Sequence, residues 1–251
     1  MGLLDGKRAL VTGAGQGVGR GIALALAHEG CAVAVAGRTL SKVEDACREI
    51  RGRGVDAIAI RCDVTVAADI AACVERTVAG LGGIDILVNN AQIVPQGTLL
   101  DVSDELFDAG WKSGPLATLR FMRACYPHLR GGGSIVNLGS GAGTRPDPVG
   151  YGAYAAVKEA IRALTRAAAF EWGPEGIRVN AIIPLATSPG LEHWIATRPE
   201  ESKAFLATVP LGRAGDCEND IGRAVAMLVG PYGSYITGST LMLDGGQAYL
   251  R

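Results

Sequence analysis

Apolar residues along this chain come in short unbroken runs that alternate with longer stretches of helical period. Seven runs of four or five residues, at 8–11, 32–36, 57–61, 84–88, 134–138, 178–182 and 240–243, are rich in Val, Ile, Leu and Ala and are bounded by Gly or Asp. A run with no polar alternate has no solvent face, so these predict strands buried on both sides, as in a parallel sheet. Between them, residues 17–28, 41–51, 67–79 and 154–172 read as helices; in the third, Ile70, Cys73, Val74 and Val78 recur at helical spacing. Strand–helix alternation of this kind predicts an α/β fold: a doubly wound parallel sheet with helices on both faces and right-handed crossovers. No linker, repeat or composition shift divides the chain, so residues 1–251 read as a single domain. Residues 184–215 carry four prolines and no clean period. A long irregular segment after a strand of such a sheet predicts a lid, placed at 185–215.

Composition narrows the setting. Only 5% of residues are aromatic, so Ala, Val, Ile and Leu must fill the core. Lys and Arg number 24 against 25 Asp and Glu, which leaves no charge surplus for nucleic acid or an anionic membrane. No apolar run approaches the ~20 residues a bilayer requires. Asp5 and Lys7 interrupt the start before any long apolar run, so no signal peptide is read and a cytoplasmic setting is expected. Cys31, Cys47, Cys62, Cys73, Cys125 and Cys217 include no Cys-x-x-Cys pair. Buried reduced thiols are expected, with neither disulfides nor a metal site.

The first strand runs into Thr12-Gly13-Ala14-Gly15-Gln16-Gly17-Val18-Gly19 and then a helix. Glycines there allow a tight turn and a close approach of backbone to phosphate. The helix start adds free N–H groups and the positive end of a dipole. The spacing Gly-x-Gly-x-x-Gly fails at Val18. Thr-Gly-x-x-x-Gly-x-Gly instead resembles the short-chain dehydrogenase/reductase family. Further along lie Cys62-Asp63-Val64, Asn89-Asn90-Ala91, Ser140, Tyr154-x-x-x-Lys158, Arg178-Val179-Asn180 and Asp244-Gly245-Gly246, in that family's order. The chain is similar to the classical, 3-oxoacyl-ACP reductase-like members over essentially its whole length.

That resemblance implies a Rossmann fold that exchanges hydride between a nicotinamide cofactor and a small-molecule carbonyl or secondary alcohol. It implies cofactor contacts from Gly13, Gln16, Gly17, Val18, Arg38, Asp63, Val64, Asn90, Ala91, Tyr154, Lys158 and Ser188, with Asp63 at the adenine. Tyr154 is implied as general acid/base, Ser140 as the donor to the substrate oxygen, and Lys158 as activator of Tyr154 and holder of the nicotinamide ribose. A homotetramer is implied as well, built on the long helices around 106–129 and 154–172 and on the apolar tail 235–249.

The residues themselves refine this. Dinucleotide folds that prefer NAD usually end the second strand on an acidic residue. Here the position is Gly37, followed by Arg38, whose guanidinium suits a 2′-phosphate. NADP(H) is therefore favoured over NAD(H), which stays possible, although uncharged Gln16 stands where many NADP-preferring relatives carry a base. Tyr154 and Lys158, four apart on a helix, share a face. A free tyrosine titrates near ~10, and a neighbouring ammonium with an oxidised nicotinamide is expected to lower it. Ser140 lacks the first glycine of a hydrolase Gly-x-Ser-x-Gly elbow, and none of His28, His128 and His193 lies in a catalytic pattern.

Three positions depart from the family: Gln92 follows Asn89-Asn90-Ala91 in place of a glycine, Leu185 follows Pro184, and Gly114 replaces an Asn. In relatives the backbone carbonyl of that Asn, at a break in a long helix, holds a water that passes protons to the lysine. A sensor that kept the fold and lost turnover is the alternative this gap suggests; intact Tyr154 and Lys158 oppose it. The segment Trp111-Lys112-Ser113-Gly114-Pro115 interrupts a helical stretch, and Pro115 has no N–H for the carbonyl of Trp111. A built-in kink is expected, with Gly114 easing the distorted backbone, Ser113 assisting, and free carbonyls serving the relay.

Overall fold

The seven apolar runs become the seven strands of one parallel sheet in a computed structural model that describes residues 2–145 and 150–248. Residue 249, the end of the expected apolar tail, lies outside the described residues. The strands are β1 (Arg8–Thr12), β2 (Ala32–Gly37), β3 (Ala57–Arg61), β4 (Ile86–Asn89), β5 (Ser134–Leu138), β6 (Arg178–Pro184) and β7 (Thr240–Leu243). Their spatial order is β3-β2-β1-β4-β5-β6-β7, every pair parallel. β4 starts at Ile86 rather than 84, because Asp85 turns its carboxylate onto Arg8, accepting from the backbone N–H at 2.9 Å and from Nε at 2.7 Å.

Unbroken apolar strands need cover on both faces. One face receives α1 (Gly17–His28), α2 (Leu40–Arg51) and α9 (Arg223–Val229), where Ile22, Leu26, Cys47 and Val225 meet Val33 and Val35. The other receives α3 (Ala67–Leu81), α5 (Ala117–Leu129) and α6 (Gly152–Trp172), where Ile70, Phe121 and Met122 meet Leu10 and Leu87. Five of the cysteines are buried, Cys217 is partly exposed, and all six are free thiols. Among the described residues no helix is long and apolar enough to cross a membrane.

Two features position the site. Strand order reverses between β1 and β4, which opens a crevice at the carboxyl ends of the strands. A buried polar chain then ties α6 to the sheet: Asn89 Nδ2 donates to Asn137 Oδ1 at 2.8 Å, and Asn137 Nδ2 to Thr165 Oγ1 at 2.9 Å. The Arg178-Val179-Asn180 motif is structural here. Asn180 Nδ2 donates to the Ile236 carbonyl at 2.8 Å and its Oδ1 accepts from Ser239 N–H, fixing the loop that leads into β7.

Residues 184–215 are more regular than their composition predicts. They form α7 (Pro189–Thr197) and α8 (Pro199–Leu206), each opening on a proline, where the missing N–H has no partner to lose. The base of the segment is pinned by Thr187 N–H to Gly215 O at 2.8 Å and Gly215 N–H to Leu185 O at 2.9 Å. Trp194 and Phe205 join the two helices edge to face at 5.4 Å.

Candidate active site

At the crevice, the loop between β1 and α1 approaches β4 so closely that side chains are excluded. Gly13 has φ +65°, and a Cβ there would lie 2.7 Å from Asn90 Nδ2. That amide donates to the carbonyls of Thr12 and Gly13 at 2.9 and 3.1 Å, while Thr12 Oγ1 accepts from the N–H groups of Asn90 and Ala91. Asn90 is thus a strut beneath the loop. Gln16 occupies the N-cap of α1 without capping it, and no acidic residue lies in that helix's first turn. An uncapped, acid-free helix start behind a glycine crest fits a dinucleotide's pyrophosphate. Ser188 caps α7 through Leu191 N–H and stands against Gly17, where a Cβ would meet Ser188 Cβ at 3.4 Å.

The other positions expected to meet a cofactor lie at the same end of the sheet. Asp63 follows β3 and accepts from Thr65 N–H and Thr65 Oγ1; the backbone N–H bond first, then the Thr65 hydroxyl, and then the charge of Arg38 hold its carboxyl below the usual range. Val64 beside it is buried. Arg38 is exposed at the end of β2. At Gly37 a Cβ would lie 2.9 Å from Val43 Cγ1, so an acidic side chain has no room without a shift of α2. Lys42, which the sequence reading passed over, reaches Gln16: its Nζ donates to Gln16 Oε1 at 2.5 Å. Its only sequence signal was its place four residues after Arg38.

Tyr154 and Lys158 emerge from the first two turns of α6. The Tyr154 and Ser140 side chains are hydrogen-bonded, and Ser140 Oγ also accepts from Ala142 N–H at 3.2 Å. The Lys158 ammonium lies 5.5 Å from the centre of the Tyr154 ring and donates to the Leu138 carbonyl at 2.7 Å. The expected lowering of Tyr154 is not what these groups produce by themselves. Burial pushes its phenol up to about 12 against the opposing pull of Ser140. Burial likewise brings Lys158 down to about 7, which weakens the cation that was expected to do the lowering.

The helix after β4 is not straight. α4 (Asp104–Trp111) passes through a π-helical turn at Lys112–Leu116 into α5, with Pro115 inside that turn. The missing N–H of Pro115 accounts for the shift from four- to five-residue bonding. Two parts of the expectation change. The backbone of Gly114 is helical, without positive φ, so conformational freedom is not why glycine stands there. Space is the reason: a Cβ would lie 2.5 Å from Gln92 Oε1 and 2.8 Å from Val157 Cγ1. Nor are the nearby carbonyls all free. Gln92 Nε2 donates to Gly110 O at 3.0 Å, and Ser113 Oγ to Ala109 O at 2.7 Å while accepting from Ile93 N–H. A side-chain amide therefore does stand beside position 114, delivered by Gln92.

Known proteins resemble this chain along nearly its whole length. Residues 13–248 match a family model described as enoyl-(acyl carrier protein) reductase. The chain is 42% identical over 255 residues to a 12alpha-hydroxysteroid dehydrogenase of a Clostridium species, spanning 98% of each. It is 36% identical to a 3-oxoacyl-(acyl-carrier-protein) reductase of Staphylococcus aureus, over 96% of this chain and 97% of that one. A short chain dehydrogenase from Burkholderia cenocepacia, solved in complex with NADP, superimposes with a TM-score of 0.90 at 34% identity, over 97% of this chain and 98% of that chain.

Two expectations follow from the geometry. Gly114→Asn should cost about 1–3 kcal/mol in urea denaturation, because the new side chain crowds Val157 and displaces the Gln92 amide from its hydrogen bonds. Adding Gln92→Gly should recover much of that loss, with a coupling energy of about 1–3 kcal/mol; strictly additive losses would show that the two positions do not share the space. The second concerns Lys158. The folded chain releases its proton near pH 7, whereas an unfolded lysine keeps it to its ordinary value of 10.5. The unfolded state binds more protons across that window, so folding gains stability as pH rises through it, and below pH 7 the full cost is present. At about 1.4 kcal/mol per pH unit, the stability of wild type relative to Lys158→Met should increase by about 2 kcal/mol from pH 7 to pH 9. A difference that does not change with pH would exclude a depressed Lys158.

Proposed function

The chain belongs to the short-chain dehydrogenase/reductase family and is an NAD(P)-dependent oxidoreductase, and on that premise we propose an NADP(H)-linked ketone reductase or secondary-alcohol dehydrogenase acting on apolar, ring-containing compounds. The observation that carries this reading is the hydrogen-bonded Ser140–Tyr154 pair with the Lys158 ammonium beside the phenol ring, at the carboxyl ends of the strands. Bound nicotinamide supplies the hydride in reduction and accepts it in oxidation; the protein supplies orientation and the proton. In reduction Ser140 donates a hydrogen bond to the substrate oxygen and Tyr154 gives that oxygen its proton, so a carbonyl becomes an alcohol and the phenol a phenolate. Lys158 stabilises the phenolate as it forms. A phenol raised to about 12 carries its proton at neutral pH, the form reduction requires, but gives it up less readily, so Lys158 beside it has to offset that cost as the phenolate forms.

Identity to the 12alpha-hydroxysteroid dehydrogenase supports the ring-containing substrate, as do the apolar side chains of residues 185–215, which we read as a lid. Gly37 and Arg38 support NADP(H) over NAD(H). A sensor without turnover drew its support from the absent Asn, and the juxtaposed Tyr154 and Lys158 oppose it. Near-neutral charge and buried thiols support a cytoplasmic setting. Phe170 on α6 is 87% exposed and Phe107 and Trp111 on α4 are partly exposed, which supports burial of these helices against further copies of the chain.

Turnover should appear at the nicotinamide absorbance with ring ketones or their alcohols, and more strongly with NADP(H) than with NAD(H). Tyr154→Phe should reduce it by about 10²–10⁴-fold while cofactor affinity changes little. A variant that keeps most of the wild-type rate removes Tyr154 from the chemistry. Light scattering should give a mass of roughly 100 kDa for the tetramer; a species near the 25.9 kDa of one chain at micromolar concentration refutes it.

A further inference from the structure

We propose that Lys42 determines cofactor specificity: together with Arg38 it clamps the 2′-phosphate of NADP(H), and Gln16 holds it in place. The inference rests on the NADP(H) reading and adds to it a residue on a different element. Arg38 leaves the end of β2, and Lys42 lies in the first turn of α2, four positions on. The first turn of α2 packs directly on the crest of the glycine loop. A Cβ at Gly15 would lie 2.9 Å from Lys42 Cβ and 3.3 Å from the Lys42 carbonyl carbon, so only glycine lets the two elements meet this closely. From that position the Lys42 ammonium reaches Gln16 Oε1 at 2.5 Å.

Charge and geometry then select the ligand. Among the described residues neither Arg38 nor Lys42 takes part in an ion pair, although ten other basic residues do. No acidic residue lies in the first turn of α2, and Gly37 has no room for one. Two cations stand at the second βα junction with no carboxylate in salt-bridge contact among the described residues, and Asp63, beyond the end of β3, is the carboxylate whose charge Arg38 acts on. In a dinucleotide fold the pyrophosphate lies at the start of α1, whereas the end of β2 faces the adenosine ribose. A dianion on the ribose 2′-oxygen is the ligand that fits there. Gln16 is neutral and cannot bind a phosphate strongly by itself. By accepting one N–H of Lys42 it restrains a flexible stem in advance and leaves two N–H donors for phosphate oxygens. The positive charge missing from the loop at position 16 is supplied from α2.

The test is equilibrium binding, free of any assay of turnover. NADPH and NADH are titrated by nicotinamide fluorescence, and 2′,5′-ADP and 5′-AMP by calorimetry, against wild type, Lys42→Met, Arg38→Met and Gln16→Leu. Circular dichroism confirms that each variant is folded. Lys42→Met should weaken NADPH and 2′,5′-ADP by tenfold or more, leave NADH and 5′-AMP within twofold, and flatten the salt dependence of NADPH binding. Gln16→Leu should weaken NADPH severalfold in the same selective way. Unchanged NADPH affinity in Lys42→Met, with a loss in Arg38→Met, overturns the role of Lys42 and leaves the NADP(H) reading standing. Equal losses for NADPH and NADH also overturn it, because Lys42 would then merely prop the loop. Wild type that binds NADH as tightly as NADPH refutes the NADP(H) reading itself.

Discussion

Where β1 and β4 lie side by side the chain departs in opposite directions, and the joint between those two strands must hold without any covering crossover. Thr12 and Asn90 make that joint. Each uses both backbone and side chain, so that two N–H groups converge on the Thr12 hydroxyl while the Asn90 amide takes the carbonyls of Thr12 and Gly13. The consequence is geometric. With the amide of Asn90 occupying the space under the loop, Gly13 cannot carry a Cβ and Gly19 cannot either, since one there would lie 2.3 Å from the same nitrogen. The shape of the glycine loop is therefore fixed from β4, on the half of the sheet that also leads to Gln92 and the π-helical turn. One hydrogen-bonded joint sets the distance between the cofactor end and the chemical end.

At the chemical end the governing quantity is desolvation. Lys158 is almost fully buried with one carbonyl partner, so its ammonium is costly and its affinity for a proton falls. Tyr154 feels the same medium with the opposite sign: its neutral form is the uncharged one, and burial keeps the proton on. The pair is poised between two arrangements, phenol with a readily lost lysine proton and phenolate with a retained one. Passing from one to the other requires a redistribution of charge within the site, beside the Ser140 hydroxyl. The chain Asn89–Asn137–Thr165 keeps α6 from relaxing away from the sheet to rehydrate either group.

Much of this was legible in the sequence because the strands are buried on both faces and cannot alternate. The runs at 32–36 and 134–138 declared β2 and β5 nearly residue for residue. Tyr154, Lys158 and Ser140 were legible through their spacing and surroundings. The helices α7 and α8 were not, since short segments opened by Pro189 and Pro199 lack the length that makes a period visible. The raised phenol of Tyr154 escaped for a different reason: spacing shows which charges are near, but not how much water has been removed. Lys42 was illegible because its partner, Gln16, is 26 residues away and meets it only through the packing of α2 on the loop.

The departures from the family pattern belong together once read as contacts instead of positions. Gly114 has no side chain where the family carries Asn, and Gln92, where a glycine was expected, sets its amide against that position from the loop after β4. Gln16 lacks a charge, and Lys42 brings one to its side. In each case the glycine is what makes room: at 114 for the Gln92 amide, and at 15 for the stem of Lys42. A packed interior enforces this, because a side chain that vanishes from one element leaves a gap that only a neighbour can fill, and the filled gap then forbids its return. Substituting either member toward the family pattern by itself asks two side chains to share one volume. The unit under constraint in this site is therefore the pair.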